Sequence, residues 1–329
     1  MRKIQFSLLL LIMISGSLFA QSAKTETGNA DFKPHGKAFA KVFSDFKYEQ
    51  SQPAFEITRA YFGYEYAFSQ QFSGKINFDI GNPGVGGLQM TAYLKNAFLQ
   101  YANDNLKFDF GLIGTKQFNL QEGIWGHRYL YKSFMDQHGY GASADLGASM
   151  VLKLAPAASF DVSILNGEGY KHLQKDSVLM YTAGVTVKPV KNLYARLYVD
   201  YMKKTVAQTT YTAFLGYTGD KFTAGAEYNI QQGHGNVTDH NLSGVSLYTT
   251  VNVGKKSDVF VRYDNLTSKK IGGATDGWNV AKDGSLILAG LELNPVKGVK
   301  VSPNFRVWTP AQSGSDTKTG FYLSLEMKF

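Results

Sequence analysis

The sequence predicts an all-β protein, a transmembrane antiparallel up-and-down β-barrel of about sixteen strands. The last nine residues, 321–329, alternate apolar and polar side chains and end on Phe329, as in a strand with one lipid face and one aqueous face. Similar segments recur along the chain, and the connections between them alternate between short and long. An amphipathic edge strand of a soluble β-sandwich would explain the C-terminal segment alone. A sandwich has no reason, however, to sort its loops by length.

The N-terminus has the pattern of a secretory signal peptide over residues 1–20. Two basic residues precede the apolar run 6–14, and residues 15–20 end on Ala20 with Leu18 where a small residue is preferred. This is the order of the charged, hydrophobic and cleavage regions. The apolar run is shorter than the roughly 20 residues that a membrane-spanning helix needs. We expect residues 21–35 to form a short flexible segment and residues 36–329 to form the barrel. We therefore expect export to the outer membrane of a bacterial cell.

Composition agrees with a barrel and disfavours other classes. Aromatic residues make up 14% of the chain, whereas the mean hydropathy is only −0.20, since a lipid face and an aqueous face alternate. The chain has no Cys, which excludes a disulfide framework and a lipid anchor on cysteine. Without Arg2 and Lys3 the 34 basic residues become 32 against 26 acidic ones, a net charge of +6. Export and the lack of a dense basic cluster disfavour nucleic acid as a partner.

Sixteen segments carry the strand pattern, an even number as bacterial barrels require. In the segment 192–203, Leu193 and Leu197 lie on one face, while Arg196 and Asp200 lie on the other. The predicted strands are 36–48, 54–68, 71–80, 89–102, 106–116, 141–154, 157–166, 178–188, 192–203, 208–217, 221–231, 243–253, 257–266, 284–294, 298–308 and 319–329. A barrel of this size leaves an aqueous channel. The prediction is a pore for passive diffusion of small hydrophilic solutes.

The longest connection, 117–140, is predicted to fold into this lumen. Asn119 followed by Glu122 resembles a helix capping box, and Leu120, Ile124, Tyr131 and Phe134 recur at helical spacing. Such a segment would lay its apolar side chains on the wall and narrow the pore. The candidate constriction residues, directed at the channel, are His127, Arg128 and Lys132. The alternative is a lid on the outer surface whose basic residues are only solvated.

Charged residues on the inward faces are candidates for the pore wall. The candidate lumen-lining residues are Arg59, Arg196, Arg262, Arg306, Asp200 and Glu227. Their mixed signs predict weak selectivity, with a weak anion preference from the net positive charge. The alternative is that each arginine braces the wall by pairing with a neighbouring carboxylate, a contribution of about 0 to 1 kcal/mol for an exposed pair. At the C-terminus, Phe329 is the candidate signal for barrel assembly.

Several stretches resemble bacterial porins related to the phosphate-selective porin O/P family. They are 111–130, 132–136 and 143–147, supported by 58–60, 72–79, 164–169, 261–264 and 303–306. The resemblance covers nearly the whole mature chain in short pieces, and it implies an outer-membrane porin that assembles as a homotrimer. It does not establish phosphate as the solute, because the selective members carry dense arginine ladders. The arginines here are interleaved with carboxylates.

The sequence shows no pattern for catalysis, a metal or a cofactor. The six histidines have no ligand spacing, and no Ser/His or paired-carboxylate site can be assembled. The expected partners are outer-membrane lipids, small hydrophilic solutes or anions, and the barrel-assembly machinery. Two alternatives remain open: a non-conducting barrel with a structural or adhesin role, and a barrel enzyme. A transporter of hydrophobic solutes would need an apolar lumen, which the polar inner faces oppose.

Overall fold

The computed structural model describes residues 32–81, 90–269 and 277–329. Sixteen antiparallel strands form a closed barrel, in which β1 pairs with β16. The strands are β1 (His35–Glu49), β2 (Gln52–Ala67), β3 (Phe72–Gly81), β4 (Thr91–Ala102), β5 (Leu106–Gly114), β6 (Ala144–Ala155), β7 (Ala158–Leu165), β8 (Met180–Val187), β9 (Leu193–Lys203), β10 (Ala207–Thr218), β11 (Phe222–Gln232), β12 (Leu242–Gly254), β13 (Ser257–Thr267), β14 (Gly284–Val296), β15 (Val299–Pro310) and β16 (Lys318–Lys328). The predicted barrel is confirmed. The predicted signal peptide lies outside the described residues.

The strands alternate between an apolar outer face and a largely polar inner face. In β16, Phe321 and Leu323 are 46% and 43% exposed, whereas the intervening Tyr322 and the next residue, Ser324, are buried. Asp45 of β1 lies opposite Ser324 across the closing pair, so both point into the lumen. Among the described residues, no helix is long and apolar enough to cross a bilayer.

The connections sort by length between the two ends of the barrel. One end carries only short turns, at 68–71, 103–105, 156–157, 188–192, 219–221, 255–256 and 297–298. The other end carries the long connections, at 82–90, 115–143, 166–179, 233–241, 268–283 and 311–317, together with short ones at 50–51 and 204–206. Outer-membrane barrels have short periplasmic turns and longer outer loops. The long-loop end is therefore the outer end.

Deleting Phe329 should reduce the yield of folded barrel. The Phe329 N–H donates a hydrogen bond to the Ala40 carbonyl at 3.0 Å, which ties the chain end to the first strand, and the ring itself is exposed on the outside. The yield is measured as heat-modifiable migration on gels, because a closed barrel resists detergent until it is boiled. A Phe329→Tyr control keeps the aromatic ring and the chain length. Equal yields for the deletion and the control would show that Phe329 is no assembly signal.

Candidate functional site: a third loop docked in the lumen

The connection between β5 and β6, residues 115–143, is the longest in the barrel and is called L3 here. It holds two short helices, α1 (Asn119–Trp125) and α2 (Phe134–Gln137). The predicted capping box is wrong, because Phe118 is the N-cap residue and no side chain caps α1. The helical pattern also stops early. Gly126 takes the left-handed conformation, with φ of 70°, which ends a helix.

L3 lies inside the barrel and packs on the inner wall. In one buried cluster, L3 residues Ile124, Trp125, Tyr129 and Leu130 meet wall residues Phe43, Phe214, Tyr248, Phe260, Leu286 and Leu288. In a second cluster, L3 residues Phe118, Phe134, Met135 and Tyr140 meet wall residues Leu242 and Leu266. Because the alternative for these side chains is lumen water, each large apolar one that is buried stabilises docking by about 1.5 to 3 kcal/mol. The prediction of a loop folded into the lumen is confirmed.

Two glycines on the inner wall make room for the loop. A Cβ on Gly216 of β10 would lie 2.6 Å from Cδ1 of Ile124. A Cβ on Gly244 of β12 would lie 2.0 Å from Cζ of Phe134. A side chain at either position would force these L3 atoms to move, so the two glycines leave the wall open where the loop packs on it.

Polar side chains of the wall hold the backbone of L3. Arg262 donates to the Lys132 carbonyl at 2.8 Å, and Arg196 donates to the Lys116 carbonyl at 2.9 Å. Two further bonds are made by wall residues that sequence reasoning did not single out. Gln231 donates to the Tyr140 carbonyl at 2.7 Å, and the Tyr248 hydroxyl donates to the Gln121 carbonyl at 3.0 Å. Alternation along each strand predicts that these side chains point inward, but it does not predict which distant residues they bind.

The prediction that His127 faces the channel is wrong. The imidazole is 4% exposed, with Nδ1 2.8 Å from Oε2 of Glu292 and Nε2 2.9 Å from Oγ1 of Thr250. The Tyr129 hydroxyl donates to the same Glu292 oxygen at 3.0 Å. Because both ring nitrogens are bound to wall side chains, His127 anchors the loop and offers nothing to a passing solute.

Four of the candidate lumen-lining residues point inward but are covered. Arg196, Arg262, Asp200 and Glu227 are 5%, 1%, 1% and 3% exposed. Arg196 binds Asp161 with both terminal nitrogens, at 2.6 and 2.9 Å, and Arg262 binds Asp264 twice at 2.8 Å. Asp200 accepts a bond from Gln117 of L3 at 3.1 Å. These side chains brace the wall and the loop, which is the alternative role for the two arginines, and the prediction that the four residues line the channel is wrong. The cause is that L3 covers this part of the wall.

The other side of the barrel, between L3 and strands β1, β2, β15 and β16, holds a cavity of about 250 Å³. We call it the constriction cavity. Its charged lining is Lys47, Arg59, Arg128, Lys132, Arg306, Asp45 and Glu56, which is five cations against two carboxylates. The structure thus places Arg59, Arg306, Arg128 and Lys132 on one open cavity.

Carboxylates partly neutralise these cations. Arg128 lies 3.1 Å from Glu122 and 3.2 Å from Asp136, and Asp136 is also 3.6 Å from the Lys132 amine. Arg59 lies 2.7 Å from the buried Asp79. Burial lowers the pKa of the Lys132 amine, and the Asp136 charge opposes that shift. The cavity surface is positive, but the pairs behind it make the field weak.

A second cavity, of about 690 Å³, lies where L3 meets the outer loops, and we call it the vestibule. Its lining includes His138, Trp278 and Trp308, together with residues of the loops at 233–241 and 268–283. Tyr131, Gln137, Arg306 and Tyr322 line both the vestibule and the constriction cavity. The two cavities adjoin at these four residues. Both cavities therefore lie beside L3, on the same side of the barrel.

Acidification should loosen α2. Burial lowers the pKa of His138 to about 4. Two smaller electrostatic effects act in opposite directions: Asp264 raises this pKa and Arg262 lowers it. Between about pH 6.5 and 4, the His138 imidazole is protonated when the loop is released and neutral when it is docked. Protonation therefore weakens docking by up to about 3 kcal/mol as the pH falls through this window. The full stability is present above this window. We expect noisier single-channel current at pH 5 than at pH 7. His138→Phe should remove the difference, and an unchanged pH dependence in that variant would contradict the assignment.

Metal-binding chemistry finds no support in the described part of the chain. Residues 32–81, 90–269 and 277–329 contain no group of three or more His, Asp or Glu side chains placed to hold a metal ion.

Comparison with known proteins gives structural neighbours only. No protein-family model matches the chain, and no curated protein matches its sequence. OmpF of Salmonella typhi, in complex with daunomycin, has a TM-score of 0.67 at 11% identity, covering 89% of this chain and 97% of that one. The outer-membrane channel DcaP of Acinetobacter baumannii gives 0.65 at 14%, covering 93% and 99%. The anion-selective porin of Comamonas acidovorans gives 0.66 at 11%, covering 90% and 100%.

The chain has the fold of an outer-membrane porin. Its closed barrel, its apolar outer wall and its sorted loops place it in the bacterial outer membrane. At these sequence identities the similarity establishes the fold alone. The identity of the solute must be inferred from the geometry of the lumen.

Proposed function

We propose that this barrel is a diffusion porin that passes small hydrophilic solutes and has a weak preference for anions. One observation carries the proposal. L3 fills one side of the lumen and leaves, on the other side, a constriction cavity with five cations and two carboxylates that adjoins the outer vestibule. A positive lining in a narrow space with low-dielectric walls favours anions.

Phosphate selectivity is not part of the proposal. Each of the five cations lies within 4 Å of a carboxylate: Lys47 pairs with Glu56, Arg59 with Asp79, Arg128 with Glu122 and Asp136, Lys132 with Asp136, and Arg306 with Asp45 at 3.8 Å. A site that captures a doubly charged anion would hold unpaired cations. The neighbour described as anion-selective is consistent with the weak preference proposed here.

The partners in this proposal are outer-membrane lipids on the outer wall and hydrophilic solutes in the lumen. A homotrimer rests on the resemblance of short sequence stretches to trimeric porins. An enzymatic role is not part of this proposal.

Single-channel recording of the folded protein in planar bilayers tests the function. We expect stepwise conductance, and a reversal potential in a KCl gradient that shows modest anion preference. A heat-modifiable, folded sample that passes no current would favour the non-conducting barrel instead. A strong preference for cations would overturn the assigned selectivity and leave the channel itself standing.

A further inference from the structure

We propose that the vestibule is a binding site for ring-bearing organic anions, small solutes that combine an aromatic or pyranose ring with a carboxylate. The inference rests on the proposed function, because it names the class of solute that would be captured before it crosses the constriction. The vestibule's volume of about 690 Å³ lies within the range of about 300 to 1,000 Å³ for small-molecule pockets.

Ring surfaces dominate the vestibule lining. Its rings are Tyr131, His138, His234, Trp278, Trp308 and Tyr322. They come from L3, from two outer loops and from two strands, so separate parts of the fold converge on one space. Trp278 is 36% exposed. An exposed aromatic ring of this size has no use in a pore that passes only ions. Flat aromatic faces bind other rings by stacking.

The Trp278 ring is held in a fixed orientation. His240 stacks on it with ring centroids 4.0 Å apart and an interplanar angle of 6°, and the indole N–H donates to the Asn241 carbonyl at 3.0 Å. His234 lies 5.4 Å away in a stacked arrangement. A cavity wall whose aromatic side chains are ordered before binding loses little entropy when a ligand packs against it.

The charges of the vestibule select the sign of the ligand. Arg306, Lys282 and Lys318 line it against one carboxylate, Glu49. The Tyr322 hydroxyl donates a hydrogen bond to Glu49, which occupies part of that carboxylate. The formal balance of three cations against one anion favours a negatively charged solute.

Arg306 lines both the vestibule, where the solute would bind, and the constriction cavity, which it would then cross. Its guanidinium lies over the Tyr322 ring at 3.7 Å from the centroid, and its Nε donates to Oδ1 of Asn304 at 2.9 Å. The planar group is therefore oriented at the junction of the two cavities, where guanidinium geometry suits a carboxylate or phosphate. A ring held above it would have its anionic group directed toward the constriction cations.

Solute-induced current block provides the first test. The probes are benzoate, glucuronate, acetate and glucose, added on the outer side of the native barrel. Benzoate and glucuronate should interrupt the current at lower concentrations than acetate, which lacks the ring, or glucose, which lacks the charge. A response to benzoate alone supports the site and assigns it to aromatic anions, whereas a response to glucuronate alone supports it for acidic sugars. Equal effects of all four probes would overturn the site.

Substitutions locate the binding. Trp308→Leu should weaken the binding of ring-bearing anions about threefold to tenfold, which is the loss of affinity expected for one stacking contact. Phe305→Leu is the matched control, because Phe305 lies on the same strand and is exposed on the outer wall. The double variant Lys282→Gln, Lys318→Gln should weaken the binding of benzoate and glucuronate and leave the effect of glucose on the current unchanged. Equal losses in the Trp308 variant and its control would overturn the assignment.

A binding measurement separates this proposal from the proposed function. Two of the three tryptophans, Trp278 and Trp308, line the vestibule, while Trp125 is buried in the docked loop. Titrating the detergent-folded barrel with benzoate should change its tryptophan fluorescence without any current being passed. Binding without conductance would overturn the porin and keep the site. Conductance without binding would overturn the site and keep the porin.

Discussion

Deletion of residues 117–140 should raise the single-channel conductance several-fold, because L3 fills one side of the lumen and packs mainly against strands β10–β14. The barrel should still fold. The Thr115 N–H donates to the Ser143 carbonyl at 3.2 Å, and the Thr115 hydroxyl donates to the Ala142 carbonyl at 2.7 Å. The ends of the deleted segment are therefore adjacent, and an Asn-Gly turn can rejoin them. Conductance in KCl is the measurement.

A point substitution tests the same idea without shortening the chain. Gly244→Val places a side chain where Phe134 now lies, so L3 should leave the wall and the conductance should rise. Gly123→Ala is the control, because a Cβ there meets nothing within 4 Å. An unchanged conductance in the deletion variant would show that L3 does not limit the passage.

Reversal of two charges on L3 should change the proposed preference of the channel from anions to cations. With Arg128→Glu and Lys132→Glu, the lining of the constriction cavity changes from five cations and two carboxylates to three and four. The substitutions also leave Glu122 and Asp136 without the partners they have now. At an effective dielectric constant of about 20, a unit charge about 4 Å away acts with about 4 kcal/mol. The effect should therefore be large.

The measurement is the reversal potential in a salt gradient near 0.1 M, where screening extends over about 10 Å, compared with about 3 Å at 1 M. Lys255→Glu with Lys256→Glu changes the net charge equally on an exposed turn between β12 and β13. That control should leave the permeability ratio nearly unchanged. The same shift in both variants, or no shift in either, would remove the constriction from the explanation of selectivity.

The strands were predictable because their signal is local. Each of the sixteen predicted segments corresponds to one strand, with ends that differ by three residues or fewer, as for β9 at Leu193–Lys203 against the predicted 192–203. Lipid on one side and water or polar groups on the other impose a period of two on every strand. That period needs no knowledge of any other segment.

L3 was predictable only in part. The apolar spacing of Ile124 and Phe134 indicated docking on the wall, and both are buried there. The same spacing suggested one helix with a capping box, whereas Gly126 splits the segment. Basic residues at 127, 128 and 132 looked equivalent in the sequence. In the structure His127 is an anchor, and Arg128 and Lys132 line the constriction cavity.

The sequence by itself determined the fold class, the strand order and the side of the wall to which each side chain points, because these depend on neighbours within a few residues. Only the tertiary structure decided which inward side chains meet water. Arg196 reaches a carbonyl 80 positions away, and His127 reaches a carboxylate 165 positions away. Alternation along a strand carries no information about such contacts. Burial beneath L3 turns Arg196 and Arg262 into braces, while Arg59 and Arg306 border the constriction cavity that L3 leaves open.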